Sequence, residues 1–314
     1  MNEVIIFIAI ISSFFYSLTN VFTKIITSHF KNPFDSMFYQ VTFYIIAFSI
    51  IYIIFLLLEG QLVTQNLFKI DFIIFIGLSG FFTFFGGIAF FYGISIGQAS
   101  VSGIIQSSRI LVSIIFAIIF FAEVYPTTIY VWIIGIFIGV LIVAYDDSIS
   151  IKELILLKSK GLAWFLLAMF SWSFGDVFVR AIEGQLHVLS IMLIRILFIW
   201  IFIFLSRNKL TSIFNLEKTK IIKTKNDVII FFLYTSLFIV ADIFFIYALG
   251  QSLTLTETIF SFMGVFSFIV IIVLSKMDLF KKKIAENLNR QILLTKSIGM
   301  IIATFSILGL IAFS

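Results

Sequence analysis

Residues 4 to 313 divide into ten apolar segments of about twenty residues each, and this pattern restricts the chain to one kind of surroundings. Each segment is long enough to cross a hydrocarbon core of about 30 Å as a helix. Within lipid only a helix or a closed barrel satisfies its own backbone amides, and continuous apolar runs lack the alternation of a barrel strand. The expected fold class is therefore an all-α polytopic membrane protein. Its ten transmembrane helices are placed near 4–26, 35–58, 70–93, 100–121, 127–145, 160–181, 188–206, 227–249, 254–275 and 292–313. Lys, Arg, Asp and Glu make up only 12% of the chain and the mean hydropathy is +1.20, in keeping with a solvent that is mostly lipid.

Several function classes drop out. The first segment is too long, and too poor in basic leader and small-residue cleavage site, for a secretory signal, so it reads as a permanent helix. With no cysteine, disulfides and thiolate metal sites are excluded. The two histidines, His29 and His187, fall in short connections and read as surface groups, not metal ligands. The connections at 94–99 and 122–126 are too short to carry a soluble domain, and those at 207–226 and 276–291 are basic loops. The net charge of +5 comes from residues flanking membrane segments, where they orient helices and meet anionic head groups; no nucleic-acid partner is expected.

The two halves resemble each other in their polar residues. Tyr16-Ser17-Leu18-Thr19-Asn20-Val21-Phe22-Thr23-Lys24 aligns with Trp172-Ser173-Phe174-Gly175-Asp176-Val177-Phe178-Val179-Arg180 at an offset of 156. The same offset sets Asp71-Phe-Ile-Ile-Phe over Asp227-Val-Ile-Ile-Phe, and an offset of 155 sets Tyr92 over Tyr247 and Glu123 over Asp278. Gly135 and Gly139 are echoed by Gly299 and Ala303. Two five-helix repeats are expected, residues 1–148 and 149–314. An odd number of spans per repeat inverts the second in the membrane, and inverted repeats are the architecture of alternating access.

These stretches resemble the EamA branch of the drug/metabolite transporter superfamily. The resemblance rests on the aromatic-serine-x-x-asparagine-x-x-x-lysine run at Tyr16 to Lys24, on Phe90-Phe91-Tyr92-Gly93-Ile94, on Glu123 and on the Gly135/Gly139 pair. It departs from the family where Gln40 replaces a basic residue of the second span, although Arg195 is present in the seventh. It departs again where Gln106-Ser107-Ser108-Arg109 stands in place of a proline. The resemblance implies a carrier of small metabolites whose helices line a central cavity, and those departures bear on its substrate.

Ionisable side chains inside spans are costly, at least about 2.5 kcal/mol each, and need a partner or a wet cavity. Arg109, Arg195, Asp176, Asp242 and Glu257 qualify. Arg109 and Arg195 have no acid at i±3 or i±4, which makes them candidates for gripping a substrate carboxylate or phosphate. Asp176 either contributes to the same site or pairs with Arg180 four residues on. Asp242 and Glu257 are candidates for carrying a coupling proton. Tyr16, Asn20, Gln40, Gln106, Trp172 and Tyr247 supply aromatic and amide groups at matching depths and complete the expected substrate-binding set. The 43 Phe are spread over every span and read as lipid-facing and packing surface, not as an aromatic cage.

The Lys/Arg count puts the basic face, from Lys31 to Arg290, in the cytoplasm and both termini outside, whereas the family resemblance implies termini inside. The expected function is a secondary transporter in the cell (inner) membrane, moving an amino acid or a related zwitterion or anion by alternating access, coupled to protons or working by exchange. A nucleotide-linked metabolite is an alternative substrate, and a receptor or assembly factor is the alternative function. An intramembrane enzyme finds no support, since no serine–histidine, paired-aspartate or HExxH arrangement lies in the spans. The expected partners are a small-molecule substrate and the bilayer, with no cofactor; the oligomeric state is open, a monomer being allowed.

Overall fold

A computed structural model describes residues 2–30, 32–59, 69–97, 99–107, 109–124, 126–144, 161–182, 184–217, 225–251, 256, 259–260, 262–276 and 290–313. The first half of the chain forms α1 (Asn2–Phe30), α2 (Pro33–Glu59), α3 (Ile70–Ile96), α4 (Ala99–Ser107), α5 (Arg109–Phe121) and α6 (Thr127–Ala144). The second forms α7 (Leu162–Ala181), α8 (Val188–Ile213), α9 (Lys225–Gln251), α10 (Met263–Ser275) and α11 (Arg290–Phe313). No strand occurs among the described residues.

Among the described residues, seven helices are long and apolar enough to cross a membrane. Three shorter apolar stretches, Arg109–Phe121, Thr127–Gly139 and Met263–Ser275, fall where the fourth, fifth and ninth spans are expected. The helices α4 and α5 occupy the fourth expected span, and residue 108 between them lies outside the described residues. The helix starts have local causes. Asn32 accepts from the N–H groups of Phe34 and Asp35 at 3.0 and 3.2 Å, with Pro33 at the first helical position, a standard start for α2. His187 is exposed and its Nδ1 accepts from the Leu189 N–H, so it caps α8.

Helix contacts come in pairs that exchange when the two halves are swapped. α1 packs on α9 as α7 packs on α3, α1 on α10 as α7 on α4 and α5, and α3 on α8 as α9 on α2. The pairs α2–α8, α6–α11 and α4–α10 map onto themselves. Small residues set the closest approaches: a Cβ on Gly139 would lie 2.7 Å from the Ala303 nitrogen and the Gly299 oxygen, so α6 and α11 touch backbone to backbone. Many phenylalanines do face outward, among them Phe7, Phe75, Phe137 and Phe305.

Candidate functional site

The helices enclose a polar-floored cavity between the two halves, with about 970 Å³ of atom-free space, its mouth included. Side chains from α1, α2, α3, α7, α8 and α9 converge on it, joined by Gln106 of α4, Arg109 of α5 and Phe260. Of the residues expected from sequence, it gathers Tyr16, Asn20, Gln40, Gln106, Arg109, Trp172, Asp176, Arg195 and Asp242. Tyr247 does not reach it and is 46% exposed on the outside of α9. Five residues beyond Asp242, it is turned about 140° away on the same helix. Glu257, Asp278 and many of the loop lysines lie outside the described residues.

The charges form two groups. In the first, Asp176 is 2% exposed, and each of its carboxylate oxygens accepts from an arginine. Arg109 Nη2 donates to Oδ2 in a very short contact, and Arg195 Nη2 donates to Oδ1 at 3.1 Å. Arg195 is braced by Thr83, whose Oγ1 accepts from Nε at 3.1 Å and from Nη2 at 2.6 Å. The Arg109 guanidinium lies over the rings of Phe245 and Phe260, 5.3 Å from each centroid. The expected intrahelical pair of Asp176 with Arg180 is thus replaced by pairs across helices, because Asp176 faces the cavity, where two desolvated guanidiniums meet it. The arginines each give one Nη2 to this internal carboxylate.

In the second group, Asp242 accepts from Tyr16 Oη at 2.6 Å and Tyr44 Oη at 2.5 Å, one phenol on each oxygen. Asp242 is only partly buried and opens to the cavity. The amides are lightly engaged. Gln106 Nε2 is buried with no hydrogen-bond partner among the described residues, and Asn20 Nδ2 reaches only the sulfur of Met263, at 3.6 Å.

Related positions of the two halves make related but chemically different contacts. Tyr16 reaches Asp242, and the positions 156 away, Trp172 and Gly86, also meet: a Cβ on Gly86 would lie 2.5 Å from Trp172. Trp172 Nε1 instead donates to the Thr83 carbonyl at 3.2 Å.

Sequence reasoning missed Tyr44, Thr83 and the cavity rings. Tyr44 is four residues after Gln40, hence on the same face of α2, which is the signal that could have found it. The reading of phenylalanine as packing surface alone is corrected: Phe90, Phe91, Phe238, Phe245 and Phe260 line the cavity. Helical periodicity cannot separate a cavity face from a packing face when both are apolar.

Fold and site together define an all-helical, multi-pass membrane protein built around a buried, charged cavity. The model of the EamA-like transporter family matches residues 4–145, so the first half of the chain is similar to that family of membrane transporters. A solved crystal structure is similar over 98% of this chain and 94% of its own, with a TM-score of 0.61 and 14% sequence identity, a likeness of fold. No curated protein matches the chain.

Proposed function

We propose that the protein is a secondary transporter of the cell (inner) membrane that carries a small zwitterionic metabolite, such as an amino acid, through the central cavity by alternating access. The observation that carries this reading is the placement of two arginines and two aspartates in one cavity between the halves, inside helices built to lie in lipid. Charges so placed are expensive and mark solute pathways in membrane proteins. The paired exchange of helix contacts supports an inverted repeat of five helices, residues 1–148 and 149–314, in which the halves adopt each other's packing and open the cavity to the opposite side.

Energy then comes from an ion gradient or from solute exchange. Asp242 is the acid suited to take up a proton, since it opens to the cavity, while both oxygens of Asp176 are held by arginines. Protonating Asp176 would strand two buried cations. Labelled amino acids are offered to proteoliposomes with and without a pH gradient. Saturable uptake that rises with the gradient is expected. Uptake indifferent to the gradient removes proton coupling and leaves exchange, and no uptake of any solute overturns the transport reading.

A further inference from the structure

We infer that Asp242 is the docking point for an organic ammonium group, and that a solute must carry such a group to bind, whereas a carboxylate is optional. The inference deepens the transport reading and rests on the cavity being the solute site. Two aspartates share the cavity in opposite states. Asp176 is sealed, with an arginine on each oxygen. Asp242 is open to the cavity and holds only two neutral phenols, with no cation on it among the described residues. A carboxylate offers about four lone-pair positions, so two remain for incoming N–H donors.

The walls around Asp242 suit the same guest. The Tyr16 ring meets Phe238, Phe245 and Phe260 nearly at right angles, at centroid distances of 5.4, 6.0 and 5.1 Å, and the Tyr44 ring meets Phe238 at 5.5 Å. Aromatic faces attract cations, the more so once water is removed. The protein already uses this property, holding the Arg109 guanidinium over Phe245 and Phe260. An aromatic enclosure floored by an unneutralised carboxylate favours ammonium, methylated or not, over a neutral or anionic group.

The arginine end does not offer an anion the same welcome. A solute carboxylate shares Arg109 and Arg195 with Asp176, which already offsets one of their two charges from within hydrogen-bond distance. The two arginines and Asp176 keep one net positive charge, so a carboxylate tethered to a docked ammonium is tolerated there at longer range. A lone anion gains little.

The full chain in lipid nanodiscs is titrated calorimetrically with phenethylamine and with phenylpropanoate, probes of similar size and opposite charge. Phenethylamine is expected to bind at least about ten-fold more tightly, and Asp242→Asn to weaken it by a similar factor. Tighter binding of phenylpropanoate, or unchanged phenethylamine affinity in Asp242→Asn, overturns the proposal. Should that variant fail to fold, Phe238→Leu carries the test. It should weaken phenethylamine by roughly two- to five-fold and phenylpropanoate by less; wild-type phenethylamine affinity, or an equal loss for both probes, overturns the inference. Binding is read without flux, so the two readings fail separately. A protein that binds the amine and moves no solute loses the transport reading, and one that moves an anion without binding the amine loses this site.

Discussion

Asp176 and Asp242 are the same side chain in opposite predicaments, and their replacements should behave accordingly. Asp176→Asn leaves Arg109 and Arg195 buried with no anion between them, and breaking a buried charge cluster in this way costs about 3–5 kcal/mol. Asp242→Asn keeps one acceptor for a phenol, removes the other acceptor and the charge at a site open to the cavity, and should cost less, about 1–3 kcal/mol. Unfolding in mixed micelles checks the order; equal losses would show that the two sites are equally sealed. Both aspartates and both arginines were legible in the sequence, because an ionised group in an apolar run is conspicuous. Their pairing was not, since the local candidate Arg180 is visible at four residues' distance while the actual partners lie 67 and 19 residues away. Tyr44 and Thr83 were missed for a different reason: a lone hydroxyl in a span equally serves to bind a neighbouring backbone, as Thr42 does with Phe38.

At the scale of helices, glycines fix how closely neighbours approach, and what each one meets sets the cost of replacing it. A Cβ at Gly139 would strike backbone atoms of α11 at 2.7 Å, which cannot yield unless α6 moves off. Gly139→Ala should therefore destabilise by about 1–3 kcal/mol. At Gly87 the added methyl would meet the terminal methyl of Met37 at 2.5 Å, the free end of a flexible chain, so Gly87→Ala should cost under about 1 kcal/mol. Thermal unfolding of the two variants in the same detergent separates them, and a Gly87 variant as damaged as the Gly139 one would contradict the packing described. The Gly135/Gly139 and Gly299/Ala303 spacings were visible in the sequence because small residues four apart mark a helix face.

Across the whole molecule, helix contacts pair up when the first and second halves are exchanged, while the polar side chains at the cavity differ. Aromatic residues at positions 16 and 172, and the polar pair Asn20 and Asp176, were recognisable as counterparts from sequence, and the structure sets each at the cavity. Their chemical difference concentrates charge at the centre: arginines and Asp176 on one side, Asp242 with its tyrosines on the other. If that centre is where solute binds, flux must depend on it while folding survives its conservative replacement. The decisive measurement is uptake of labelled amino acids into proteoliposomes holding the wild type, Asp242→Asn or Arg195→Gln, each shown to be folded by its elution and circular dichroism. The account predicts that the wild type accumulates at least one solute and that both variants lose on the order of ten-fold or more of that flux. Wild-type flux in both variants, or no flux from the wild type, would contradict it.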